Sequence, residues 1–152
     1  SVEIIVPSHI LDGSSYTVYS VADKNILISN ELKKIENLLN NKNISGAIKN
    51  VDVYLAKLLS QNLNSKNVLL LNNLAYYLEQ NGYYVESAII LEEIVKQFPQ
   101  RISARINLGD AYWGINKHYQ DMAVEHYQVY IQLMEKNGRS HKIPKRIYER
   151  IR

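Results

Sequence analysis

Two tripeptides, Asn73-Leu74-Ala75 and Asn107-Leu108-Gly109, set the same pattern 34 residues apart. Self-similarity at a period of roughly 20–50 residues marks a chain built from stacked supersecondary units. The first copy continues Leu78, Gly82, Tyr84, Ser87, Leu91, Ile94, Pro99, and the second Tyr112, Tyr119, Ala123, Tyr127, Tyr130. These residue types suit two antiparallel helices. A small residue in the first helix (Ala75, Gly109) and another early in the second (Ser87, Ala123) let the axes approach. Aliphatic and aromatic side chains at the wider positions fill the wedge between them. Pro99 stops one unit before the next begins. A single unit cannot bury its own apolar face, so about three units or caps must stack.

Apolar spacing extends the helical reading over most of the chain. Leu32, Ile35, Leu38 and Leu39 predict a first helix, capped by Ser29 or Asn30 and ending in the turn Asn40-Asn41-Lys42-Asn43. Ile44, Ala47, Ile48, Val51, Leu55 and Leu58 predict one continuous second helix. A polar connector over 61–65, with Ser65 as N-cap, leads to a third helix carrying Leu70, Leu71, Leu74 and Leu78 and stopping at Gly82. The fourth covers about 84–97 and the fifth about 102–113, followed by a turn over 114–118. A sixth helix carries Met122, Ala123, Tyr127, Tyr130, Ile131 and Met134, and Gly138 closes it in a left-handed conformation. The last starts after Pro144 and carries Ile147, Tyr148 and Ile151.

On these residues the segments 74–99 and 108–133 resemble tetratricopeptide repeats, and 35–58, with Ala47, Val51 and Tyr54, looks like a degenerate earlier unit. The second clear unit departs from the pattern, because its turn over 114–118 is about two residues longer. The ending Lys142-Ile143-Pro144-Lys145-Arg146-Ile147-Tyr148 is similar to tails of bacterial repeat proteins of this type. The resemblance covers about two-thirds of the chain. It implies an all-α helical-hairpin solenoid of about three units plus a capping helix over 30–152. It also implies a ligand in the concave groove lined by the first helix of each unit. The groove-facing residues are then Asn72, Asn73, Tyr76, Glu79 and Gln80 from one unit, and Ile106, Asn107, Asp110 and Trp113 from the next. The Lys and Arg residues with which some family members clamp a terminal carboxylate are missing from these positions, so the resemblance does not extend to C-terminal acidic peptides.

Residues 1–29 differ in character and are read as a β-prone arm or hairpin. Val2-Glu3-Ile4-Ile5-Val6 ends at Pro7, and Tyr16-Thr17-Val18-Tyr19-Ser20-Val21 is again β-branched and aromatic. Turn residues over 22–25 would let Ile26-Leu27-Ile28 return as a partner strand. A two-stranded hairpin alone is marginal in water, so it must pack on the helices or pair with something else, a second copy included.

The absence of cysteine removes disulfides, thiolate metal sites and cysteine nucleophiles. His9, His118, His126 and His141 are dispersed, and no pair has the i, i+4 spacing of a helical metal site. No glycine loop suited to phosphate occurs, and Glu92, Glu93 and Glu125 are read as lying on solvated helical faces. The chain is therefore read as non-enzymatic, without metal or cofactor. Its longest apolar runs, such as Val68-Leu69-Leu70-Leu71, are far too short to span a bilayer. Heavy use of Asn, Ile and Lys hints at an AT-rich bacterial coding sequence. A cytoplasmic setting is favoured, though the absence of cysteine does not choose a compartment, and the periplasm stays open if a signal peptide was removed before Ser1.

What remains is surface. Trp113 is the only tryptophan, and it either anchors a partner or fills an inter-helix wedge, as does Tyr76; Tyr112, Tyr127 and Tyr130 fall on core positions. A modest net charge of +3 concentrates in the tail: Lys136, Arg139, Lys142, Lys145, Arg146, Arg150 and Arg152. The tail is either a solvated cap that complements helix dipoles or a site for an acidic partner. The reading that follows is a protein-binding adaptor or assembly module working through the groove. The alternatives are an immunity or inhibitor protein that occupies a bacterial toxin or enzyme, and nucleic-acid binding through the tail.

Overall fold

The computed structural model describes residues 3–7 and 16–152, with side chains described from residue 23 onward. Strands β1 (Glu3–Pro7) and β2 (Tyr16–Ser20) pair antiparallel, with Ile5 opposite Val18, and lie against the helix that follows. From Val21 the described chain is helical. The helices are α1 (Val21–Asn40), α2 (Ile44–Ile48), α3 (Val53–Gln61), α4 (Val68–Gln80), α5 (Tyr84–Gln97), α6 (Ile102–Ile115), α7 (Gln120–Lys136) and α8 (Lys145–Arg150).

Three expectations of the fold are corrected. Ile26-Leu27-Ile28 is no strand and belongs to α1, so the helical part begins at Val21 and not at residue 30. Leu27 and Ile28 are both buried while Ile26 stays exposed. Adjacent buried residues fit one side of a helix that continues to Ile35, and they violate the alternation of a half-buried strand. The second helix is likewise two helices. Asn43 caps α2 by accepting the amide of Gly46, and Asp52 caps α3 by accepting the amide of Leu55 at 2.9 Å. Each cap restarts the backbone ladder, so the chain bends over 49–52 although the apolar spacing runs on.

The connector into α4 is held by three asparagines in place of a Ser65 cap. Asn64 Oδ1 accepts the amides of Lys66 and Asn67, and Asn67 Nδ2 donates to the carbonyl of Asn62. Helices α4 and α7 stop where expected, with Gly82 at φ +87° and Gly138 at φ +66°, in the left-handed region that terminates a helix without steric cost at glycine.

Successive helices from α4 to α7 pack on one another, and α4 also packs on α6, and α3 on α5. One apolar cluster runs from Leu27 through Leu55, Leu74, Leu91 and Leu108 to Ile147. The small-residue positions perform as the sequence suggests. Ser87, fully buried, donates its hydroxyl to the Ala75 carbonyl at 2.7 Å, fixing α5 on α4. At Gly109 an added Cβ would sit 2.5 Å from the Tyr127 ring, so the missing side chain is what lets α7 place a fully buried tyrosine against α6.

Candidate functional site

α4 and α6 begin 34 residues apart, at Val68 and Ile102, so their side chains can be compared position by position. On α4, Leu69 and Tyr76 stand two turns apart and are 60% and 41% exposed. Asn73 and Gln80 are exposed between and beyond them, completing one stripe at helical spacing. The Tyr76 ring meets Tyr77 edge-on at 5.4 Å, which steadies it without covering it. Asn72 lies at the stripe's border and is buried. Its Nδ2 donates to Ser103 Oγ of α6 at 3.3 Å, while its Oδ1 has no partner among the described residues.

Glu79 is half-buried and accepts a 2.7 Å hydrogen bond from Gln80. Burial raises its carboxyl above the ordinary value, and the charge of Asp110 adds to this, while Gln80, Arg146 and Arg150 oppose it.

The same face of α6 is arranged differently. Asp110, expected in the groove as a ligand contact, is buried and committed within the chain. Its carboxylate accepts from Tyr127 Oη at 2.7 Å, from Arg146 Nη2 at 2.6 Å and Nε at 3.3 Å, and from Arg150 Nη1 at 3.1 Å. Arg150 also donates to Tyr127 Oη, and its guanidinium lies 4.9 Å from the centre of the Trp113 ring. Trp113 is half-buried beneath it, 6.5 Å from the Tyr127 ring. The hydrogen bond to Asp110 holds the Arg146 guanidinium above its usual range against the opposing effect of burial. Burial first, then the Asp110 charge and hydrogen bond, push the Tyr127 phenol upward. The physical reason for the correction is plain: a desolvated carboxylate must be paired, and α8 supplies two arginines one turn apart to pair it.

Groove and tail, separate candidates in the sequence, thus meet at Asp110. Asn107 is also buried, whereas Asn73, at the equivalent repeat position, is exposed. Ile106 is half-buried on the edge of the core. Of the remaining tail residues, Lys145 pairs with Glu149 at 3.6 Å on an exposed surface, while Arg139 and Lys142 have no ion-pair partner among the described residues. The union of Arg146 and Arg150 with Asp110 spans 36 and 40 residues and leaves no local signature. The one available clue was their i, i+4 spacing, which places both on one side of a capping helix.

A second polar cluster, missed in the sequence, lies where α5, α6 and α7 meet. Arg105 Nη1 sits 3.2 Å from His126 Nδ1; because a guanidinium only donates, Nδ1 accepts and the neutral ring carries its proton on Nε2. Burial, then the Arg105 charge, lowers the His126 pKa to about 4. Tyr112 stacks between His126 and Tyr119 and donates its hydroxyl to Glu92. His118 and His141 are exposed and His9 lies outside the described residues. No group of three His, Cys, Asp or Glu side chains that could hold a metal ion occurs among the described residues, and no described helix is long and apolar enough to cross a membrane.

No family model matches the chain, and no curated protein matches it either.

Proposed function

We propose that this chain is a non-catalytic, tetratricopeptide-like helical-hairpin module that holds a segment of another protein against the face of α4. The repeat reading is supported by the 34-residue spacing of α4 and α6 and by the small-residue contacts that seat α5 and α7. The β1–β2 pair is then the N-terminal arm of the module.

The observation that carries the binding role is the pair Leu69 and Tyr76. Two large apolar side chains stand on one stripe, two turns apart, in solvent, flanked by the amides of Asn73 and Gln80. An aromatic anchor with hydrogen-bonding neighbours is the composition of interface centres. The tail is less suited to nucleic acid, since Arg146 and Arg150 are turned inward onto Asp110. An adaptor and an inhibitor would use the same face, so the identity of the bound protein separates them.

The test is affinity capture from nuclease-treated bacterial lysate with mass spectrometry of what is retained. A stoichiometric protein held by the native chain and lost by Leu69→Ala/Tyr76→Ala supports the reading. Equal retention by both chains removes α4 as the site, and no retained protein counts against the module itself.

A further inference from the structure

The basic tail divides into cations that are used and cations that are not. Arg146 and Arg150 are neutralised by Asp110, and Lys145 lies beside Glu149. Arg139 and Lys142 are exposed, lack an ion-pair partner among the described residues, and line a cleft of about 480 Å³. Its other walls are Ile102, Ser103 and Ile106 of α6, and Tyr130 and Met134 of α7. One wall is therefore aliphatic and aromatic, and the rim is cationic.

No carboxylate among the described residues lines this cleft. Ser103 adds a donor: its oxygen accepts from Asn72 Nδ2, and its own hydroxyl hydrogen has no acceptor among the described residues. A guanidinium, an ammonium and a hydroxyl thus face a space floored by Ile106, Tyr130 and Met134, and all three can donate to an oxyanion. Asn72 also connects the cleft to the α4 stripe, since Leu69, Asn73 and Tyr76 flank it on the same helix.

We propose that this cleft receives an acidic segment of the partner protein: one or two Asp or Glu side chains on Arg139 and Lys142, with a neighbouring aliphatic or aromatic side chain on the Ile106–Met134 floor. The inference rests on the protein-binding reading above and adds the partner's chemistry. Charge complementarity selects the occupant. Arg139 and Lys142, with no ion-pair partner among the described residues, stand at the mouth of this mixed polar and apolar cleft and repel basic segments, and a plain apolar one would strip their water without compensation.

The probe is a random dodecapeptide library displayed at the N-terminus of a phage coat protein, so that no peptide has a free carboxyl terminus. It is selected in parallel on the native chain, Arg139→Glu/Lys142→Glu, Leu69→Ala/Tyr76→Ala, and a charge-matched control, Lys33→Glu/Lys34→Glu on α1. The expected result is enrichment of peptides pairing Asp or Glu with a nearby Leu, Ile, Phe or Tyr. As synthetic amidated peptides, these should bind the Arg139/Lys142 variant roughly tenfold or more weakly and the α1 control unchanged, with affinity falling as salt rises. Peptides without acidic residues, or equal binding by the charge-reversed variant, overturn the proposal. If selected peptides depend on Leu69 and Tyr76 alone, the cleft assignment falls while the protein-binding reading stands. If the native chain selects nothing, both fall. A labelled single-stranded oligonucleotide bound more tightly than any peptide, through the same two cations, overturns both in favour of nucleic acid. Both substituted cations are exposed and have no ion-pair partner among the described residues, so the melting temperature serves as the folding control.

Discussion

The hairpin α4–α5 and the hairpin α6–α7 place different chemistry on one framework. Where the first uses Leu71, Leu78, Ile90, Leu91 and Ile94, the equivalent positions of the second hold Arg105, Tyr112, His126, Tyr127 and Tyr130. The first interior is mostly hydrocarbon, with the Ser87 hydroxyl bonded to Ala75 and the Asn72 amide buried at its border with α6. The second buries more polar groups and pairs most of them, through Glu92, Asp110, Arg146 and Arg150, although Arg105 Nε has no partner among the described residues. The consequence reaches the surface. Tyr76 and Asp110 occupy the same repeat position, yet Tyr76 is open to solvent and Asp110 lies under α8. A hydrocarbon hairpin can leave its outer face unoccupied; a polar one draws the last helix onto that face to complete its hydrogen bonds.

The largest effect that would break this contrast is expected at Asp110. Asp110→Ala leaves the Tyr127 hydroxyl and two arginines without their shared acceptor. It should cost about 2–4 kcal/mol, a loss on the order of 10 °C in melting temperature, with the arginines' partial exposure keeping it below the fully buried case. Tyr76→Ala, at the equivalent open position, should stay within about 0.5 kcal/mol. Thermal denaturation of the two variants side by side checks the difference, and comparable losses would show that the two faces are not open and closed.

A smaller effect is the pH dependence that His126 adds in the second hairpin. The His126 pKa is depressed to about 4, so between the ordinary histidine value and that point the unfolded chain takes up a proton that the folded chain refuses. The contribution of His126 is therefore full above about pH 6.5 and is lost as pH falls toward 4. For a half-buried ring the loss should be about 1–2 kcal/mol. Denaturant titrations at several pH values should find this slope flattened in His126→Ile, which restores the side chain found at Ile90.

The first hairpin was the more legible of the two in the sequence. Its helices follow from apolar period, from Gly82 and from Pro99, all local signals. The second was placed by the same period, but the role of Asp110 was not, because its partners arrive from 36 and 40 residues away. The α1 start was misread because β-branched residues over 16–21 and turn formers over 22–25 outweighed the spacing of Ile28, Leu32, Ile35 and Leu39, which runs unbroken into the helix. The bend between α2 and α3 was masked by apolar residues that keep helical phase across it, while its true markers, Asn43 and Asp52, are ordinary polar residues until their caps are seen. The cleft could not be read at all, since it forms only where α6, α7 and the segment before α8 converge.

The most direct test of the open α4 face is hydroxyl-radical footprinting of the chain alone and with the protein it captures. The account predicts that partner binding protects the peptide carrying Leu69 and Tyr76, while labelling of Tyr127 stays low throughout and Trp113 changes little beneath Arg150. Protection that appears at Trp113 and α8, with Tyr76 labelled equally in both samples, would contradict it and place the interface on the half of the molecule that α8 closes.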